Sequence, residues 1–258
     1  MDIVLIGSGN VATVLGRKSL AAGHRIVQVY SPHSGHANEL AVRLGTNSTS
    51  YISSIEKKAD LTIVALRDDA VSSFVQQAGK INSILVHTAG SLSINVLKGA
   101  SNQSYGVLYP LQSLKKEIDV LPPISILVDG NNPVSLGIIK EFAQTIAEMV
   151  SEADDGTRLK YHLAATIVNN FTNYLFTLAA SFCEKENISF SVLQPLIEET
   201  VLRLRKTAPQ LAQTGAAIRS DVVTIQKHQE LLEQYPHISK FYNLFTEEIQ
   251  QSVSGIAL

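Results

Sequence analysis

The stretch IVLIGSGNVATVLG, residues 3–16, passes from a short apolar run into Gly7-Ser8-Gly9-Asn10-Val11-Ala12 and on into a helical pattern. A G-x-G-x-x-A set between a first strand and the helix it opens has a defined physical use. Gly7 permits the tight turn out of the strand. Gly9 carries no Cβ to block a close-lying pyrophosphate, and Ala12 lets helix and strand approach. Backbone N–H groups at the helix N-terminus then face the phosphates. Gly7, Ser8, Gly9, Asn10 and Val11 are therefore expected to cradle a dinucleotide.

Working outward, apolar β-branched runs recur at 25–31, 61–66, 83–88, 105–110 and 124–129. Helical stretches separate them at about 10–22, 35–44, 69–79, 93–98 and 133–149, the last opened by Asn131-Asn132-Pro133. Nearly continuous apolar strands alternating with helices predict a doubly wound α/β Rossmann domain with a mostly parallel sheet. After SEADDG (151–156) no further strand is legible, and helical patterns follow at about 156–186, 189–206, 221–233 and 237–252. We expect a dinucleotide-binding domain over 1–151 and an all-α substrate and dimerisation domain over 152–258. A cleft between two such domains is the usual place for a ligand.

The second strand ends in VYSPHSGH, residues 29–36, with Ser31 and His33 where an NAD site usually places an acid for the ribose 2′-OH. A hydroxyl and an imidazole tolerate a 2′-phosphate better than a carboxylate does, so NADP is favoured over NAD. In LRDDAV (66–71) the backbone of Leu66 and Arg67 lies at the sheet's carboxyl edge, and Asp68 or Asp69 is expected to cap the next helix. HTAGS (87–91) ends the following strand at the same edge. It offers His87 and Thr88 to the cofactor and Ser91 to substrate, with Gly90 permitting the turn. In TGAAIRSDVV (214–223), Asp221 is the expected N-cap and Arg219 a candidate for a substrate anion; His228 further on reads as a surface residue.

YHLAATIVNNFTNY, residues 161–174, lies in a stretch without Lys, Arg, Asp or Glu from Tyr161 through Cys183. At roughly 100° per residue, His162, Thr166, Asn169, Asn170, Asn173 and Thr177 fall in one arc against an apolar remainder. The expectation is a helix buried nearly all round, with one uncharged polar stripe that needs partners.

With 258 residues, 45% apolar and 17% charged, and a net charge of −2, the chain has ample core and no electrostatic bias toward nucleic acid or membrane. The single cysteine, Cys183, rules out an intrachain disulfide and suits a packing role in a reducing cytosol. No apolar run reaches the ~18–20 residues of a membrane span, and MDIVLIGSGN lacks the basic start of a signal peptide. A cytoplasmic protein is expected. Scattered histidines without C-x-x-C or H-x-x-x-H spacing give no metal site, and no G-x-S-x-G elbow is present.

The glycine loop, VALRDDAV, LVHTAGS, GVLYPLQSL, YHLAATIVNNFTNYLF and TGAAIRSD with KHQELL follow one another in an order that resembles a bacterial family of Rossmann-like oxidoreductases. That family pairs an NADP-binding domain with a helical domain of uncharacterised function. It resembles a branch of the 6-phosphogluconate dehydrogenase-like superfamily, with ketopantoate reductase, pyrroline-5-carboxylate reductase and deazaflavin-dependent NADP reductases as relatives. In several of these a Lys opens the first long helix of the second domain, donating a proton to the carbonyl, with Asn residues beyond it orienting substrate. Laid on this chain, the resemblance puts His162 at the Lys position, Thr166 next and Asn170 last. Ala216 and Ser220 stand where the family often has Pro and Gly.

The reading that follows is hydride transfer between NADP(H) and a small carbonyl or imine. His162 is the general acid; Asn170, Thr166 or Asn173 hold the substrate. Two other readings stand beside it: a non-catalytic NADP(H)-binding sensor or scaffold, and a deazaflavin-dependent hydride exchanger. An apolar, charge-poor helical domain further suggests a homodimer.

Overall fold

The structure, a computed structural model, describes residues 1–101, 103–117 and 119–253. By packing, the chain divides into two compact units, Met1–Phe171 and Thr172–Leu258.

The first unit is built on eight strands: β1 (Asp2–Ile6), β2 (Arg25–Tyr30), β3 (Asn47–Thr49), β4 (Leu61–Val64), β5 (Ile84–His87), β6 (Tyr105–Leu111), β7 (Ser125–Gly130) and β8 (Met149–Glu152). They form one sheet in the order β3-β2-β1-β4-β5-β6-β7-β8, parallel throughout except where β7 runs against β6. The chain goes outward from β1 to β3 and returns to β1's other side with β4, so the glycine loop leaves β1 at the switch point.

Alternation along β1 shows why both sheet faces are covered. Ile3 and Leu5 pack with Ala12, Leu15, Leu40 and Phe142 from helices α1 (Asn10–Ala21), α2 (Ser34–Leu44) and α4 (Pro133–Ile146). Val4 and Ile6 face the other way, against Val71, Phe74 and Val75 of α3 (Asp68–Ala78) and Leu97 of a 3-10 turn at Ile94–Leu97. The Asn-Pro signal works as the sequence suggests: Asn132 Oδ1 accepts from Ser135 N at 2.9 Å, with Pro133 at the first position of α4.

Two strands were not legible. β3 is three polar residues at the sheet edge. β8 occupies Met149–Glu152, so α4 stops at Ile146 rather than Met149, and a strand stands where the boundary between the two domains was expected. Both are short, lie at the two ends of the sheet, and lack a second apolar face.

Helix α5 (Asp155–Ala165) starts with Asp154 capping Thr157 N and continues into a π-helical turn at Thr166–Phe171. Among its described residues the second unit has only helical elements: α6 (Thr172–Lys185), a 3-10 turn at Phe190–Leu193, α7 (Gln194–Arg203), α8 (Pro209–Ala212), α9 (Val222–Leu231), a 3-10 turn at Leu232–Gln234 and α10 (Pro236–Val253). Asp221 caps α9 through Thr224 N, as expected, and Cys183 is buried. Among the described residues no helix is long and apolar enough to cross a membrane.

Candidate functional site

Gly7 is held to glycine by the fold itself. Its φ is +115°, and a Cβ there would lie 2.3 Å from the Ala65 carbonyl oxygen on β4's exit. Gly9 is different: nothing stands within 4 Å of the position its Cβ would take. Helix α1 has neither a side-chain cap nor an acidic residue in its first turn, which leaves its positive end to an outside anion. The loop is braced from two sides, by Ser8 Oγ donating to Ser31 Oγ at 3.0 Å and by Lys116 N donating to Asn10 Oδ1 at 3.2 Å. Val11 packs its side chain against the core, so only its backbone faces the loop. A cavity of about 230 Å³ opens over Ser8, Gly9 and Asn10, flanked by His36, Lys116 and an Arg43 that pairs with Glu39 at 3.2 Å. These three basic groups escaped the sequence reading; a second imidazole one turn after His33 was the available signal.

Ser31 is buried and spends its hydroxyl on Ser8. His33 is the exposed N-cap residue of α2, its ring edge-on to His36 at 5.5 Å between centroids. Leu66 is half-buried against the core. Arg67, not Asp68 or Asp69, occupies the N-cap position of α3, without a side-chain cap bond. Asp69 instead pairs with Arg67 at 2.9 Å, and Asp68 accepts from Ser91 Oγ. With both acids in the helix's first turn, the dipole favours them there without a cap. Ser91 thus ties the β5 loop to α3.

His87 is fully buried, so its ring offers a cofactor no surface, contrary to expectation. Its Nδ1 accepts from Ala89 N at 3.2 Å. Burial, aided by the Arg158 cation, lowers its pKa to about 4, which keeps the ring neutral. Thr88 is also buried, 3.5 Å from the Val64 carbonyl. Beneath this loop lies Arg158 of α5, only 1% exposed, which donates to the Leu92 carbonyl and to Asp155 Oδ1. The buried cation, unforeseen from sequence, staples the β5 loop to the start of α5.

A second cavity in the same unit, about 490 Å³, is walled by the end of β6 with Gln112 and Ser113 on one side and by α5 and the π turn on the other. His162, Thr166, Asn169 and Asn170 all line it. The π turn closes with i→i+5 spacing and so brings residues of two expected arcs onto one wall. Thr166 Oγ1 donates to the His162 carbonyl at 3.0 Å, leaving its oxygen as an acceptor. Asn173 is not among the lining residues. The group that sequence reasoning missed is Tyr109, whose hydroxyl lies 2.8 Å from His162 Nδ1. Among the described residues none with a permanent charge lines this cavity.

The helix was expected to be buried nearly all round, and it is not. In the single chain Leu163, Val168 and Phe171 are 60%, 71% and 57% exposed. An absence of charge signals that a face is apolar, but not which element covers it.

In the second unit Arg219 is exposed just before the cap Asp221, whose pKa falls mainly through its bonds to Thr224. Ser220 adopts a left-handed φ of +50°, a conformation that favours glycine. His228 Nδ1 lies 2.9 Å from Tyr242 Oη on the wall of a 610 Å³ apolar cavity within that unit.

Comparison with known proteins adds the following. Residues 2–89 match the family model described as NADP oxidoreductase coenzyme F420-dependent, and residues 124–249 match a domain of unknown function, DUF2520. A candidate NADP oxidoreductase of Bacteroides fragilis is 36% identical over 97% of this chain and 98% of its own, with a TM-score of 0.89. The chain belongs to that family. In this chain the Rossmann NADP-binding match at 2–89 is followed by the domain of unknown function, which begins within the sheet at 124 and runs on through the helical region to 249. A Thermotoga maritima protein shares the fold at 19% identity over 98% of this chain and 100% of its own, with a TM-score of 0.79. So does a reductive aminase of Aspergillus terreus in complex with NADPH and ethyl-5-oxohexanoate, at 15% identity over 98% of this chain and 93% of its own, TM-score 0.74. No curated protein matches the chain.

Proposed function

We propose that the protein is an NADP(H)-dependent reductase of a small, uncharged carbonyl or imine, with His162 as general acid. The observation that carries this reading is a shared edge. The glycine loop leaves β1 and Tyr109 stands on β6, three strands further along the same sheet and about 14 Å away at ~4.8 Å per strand. The carboxyl ends of β4 and β5 lie between them. A dinucleotide seated at the loop therefore runs toward the His162 cavity.

The loop fits the cofactor's phosphates: the space above Gly9 is free, the first turn of α1 has no acid, and His36 and Lys116 flank the cavity, where the one lining acid, Glu39, is paired with Arg43. His33 and His36 suit a 2′-phosphate. When bound, NADPH supplies the hydride and is left as NADP+. The chain's own part is to hold the acceptor, exclude water and provide the proton. His162 gives that proton to the oxygen or nitrogen as the hydride reaches carbon, so that C=O or C=N becomes CH–OH or CH–NH. Asn170 and Asn169 donate amide N–H bonds to the substrate, and Thr166 accepts. Because the described lining carries no Lys or Arg, no permanent cation there selects a carboxylate-bearing acceptor. Ser91 and Arg219, engaged elsewhere or remote in sequence from this lining, have no part in the reading.

The exposed apolar side chains of α5 and the π turn support a homodimer through the helical region. A second reading, hydride exchange with a deazaflavin, draws on the description of the family matching residues 2–89. The deciding experiment measures NADPH oxidation against panels of neutral imines, neutral ketones, keto acids and an oxidised deazaflavin. We expect turnover of a neutral imine or ketone that His162→Ala abolishes. Turnover of the deazaflavin alone would replace this reading with the second.

A further inference from the structure

Tyr109 comes from β6 and His162 from α5, yet the Tyr109 hydroxyl lies 2.8 Å from His162 Nδ1. The rings meet edge-on, with centroids 5.9 Å apart at 70°. Gly90, on the loop after β5, backs both: a Cβ there would lie 2.8 Å from His162 Nδ1 and 3.0 Å from Tyr109 Cζ. Three separate elements thus converge on one hydrogen bond, and a side chain at Gly90 would press on both of its rings. Burial raises the Tyr109 phenol above its ordinary value; Asp68 acts in the same direction and Arg158 against it. The hydroxyl keeps its proton at any pH near neutral.

We propose that Tyr109 is the positioning residue for His162: its hydroxyl occupies Nδ1 and leaves Nε2 as the ring nitrogen that meets the substrate. This rests on the reductase reading of the cavity. A hydroxyl can donate or accept. It donates to Nδ1 of the neutral ring and accepts from Nδ1–H of the imidazolium. In both states Nε2 carries its N–H toward the reacting group. When the imidazolium gives up the Nε2 proton to the substrate oxygen or nitrogen, the ring is left for that moment as the other neutral tautomer, its Nδ1–H donating to the Tyr109 oxygen, until exchange with solvent restores the resting Nε2–H form. The two electrons that reduce the substrate carbon arrive with the hydride from NADPH, so the tyrosine changes neither charge nor redox state.

The test uses the full-length protein labelled with 15N-histidine, with long-range 1H–15N spectra in which the His162 signals are assigned by their loss in His162→Ala. Tyr109→Phe keeps the ring on Gly90 and removes only the hydroxyl. At alkaline pH, we expect a single Nε2–H tautomer in the wild-type protein and a mixture in Tyr109→Phe. With NADPH and 2-methyl-1-pyrroline as probe, kcat should fall about tenfold while the KM for NADPH holds, the scale seen when an orienting partner is removed. A tautomer unchanged in Tyr109→Phe overturns the proposal, and so does an altered tautomer with unchanged kcat. No turnover by the wild-type protein, or turnover undiminished in His162→Ala, counts against the reductase reading instead. The tautomer comparison then still decides whether Tyr109 holds Nδ1.

Discussion

Gly7 and Gly9 stand two residues apart in one loop and meet opposite surroundings. A Cβ at Gly7 would strike the Ala65 carbonyl at 2.3 Å, whereas one at Gly9 would meet nothing within 4 Å. The first glycine serves the fold, and the second keeps open a space that the fold does not use.

The two should therefore separate stability from binding. Gly7→Ala should destabilise the protein by about 2–4 kcal/mol, through a φ of +115° and the clash. Gly9→Val should leave the thermal midpoint within a few degrees and abolish NADPH binding. Thermal unfolding with calorimetric titration of both variants checks this, and a Gly9→Val protein that binds as tightly as wild type would contradict it.

His87 gives a pH signature. Its folded pKa of about 4 lies below the 6.5 of the free residue, so the unfolded chain binds the extra proton between those values. Its contribution is complete above pH ~6.5 and is lost as pH falls toward ~4, on the order of 3 kcal/mol in all. Denaturant unfolding across that window should show a shallower acid loss in His87→Gln than in wild type. Equal slopes would remove the assignment.

The glycine loop, the Asn132 and Asp221 caps and the sheet's parallel character were legible because each rests on local chemistry within a few residues. His87 was misplaced because a histidine at a strand's carboxyl end reads alike whether its ring turns out to a ligand or in toward Arg158. The π turn left no trace in composition, so the polar stripe was drawn on a 3.6-residue period that the chain abandons at Thr166. Tyr109 lies 53 residues from His162. Its one signal was a hydroxyl-bearing ring at the end of a strand on the ligand edge.

Arg158 is the buried tie between α5 and the loop after β5. Arg158→Met should cost about 2–4 kcal/mol by taking its donor from the Leu92 carbonyl and its cation from Asp155, which keeps only neutral donors such as Ile94 N. With the cation gone, the His87 pKa should rise. Chemical denaturation and an NMR titration of His87 test the two together; an unmoved His87 would show that burial alone holds it down.

The open apolar face of α5 and the π turn predicts self-association. Sedimentation at micromolar concentration should find a dimer, and Leu163→Glu with Val168→Glu should convert it to monomer while the helix content holds. A wild-type monomer would mean that this face serves something other than a second copy.

The most direct test is a calorimetric titration of the wild-type protein with NADPH and NADH. Saturable binding of NADPH at one site per chain, tighter than NADH and lost in Gly9→Val, is the expected result. No binding of either nucleotide would contradict the reductase assignment at its root and return the glycine loop to a turn between strand and helix.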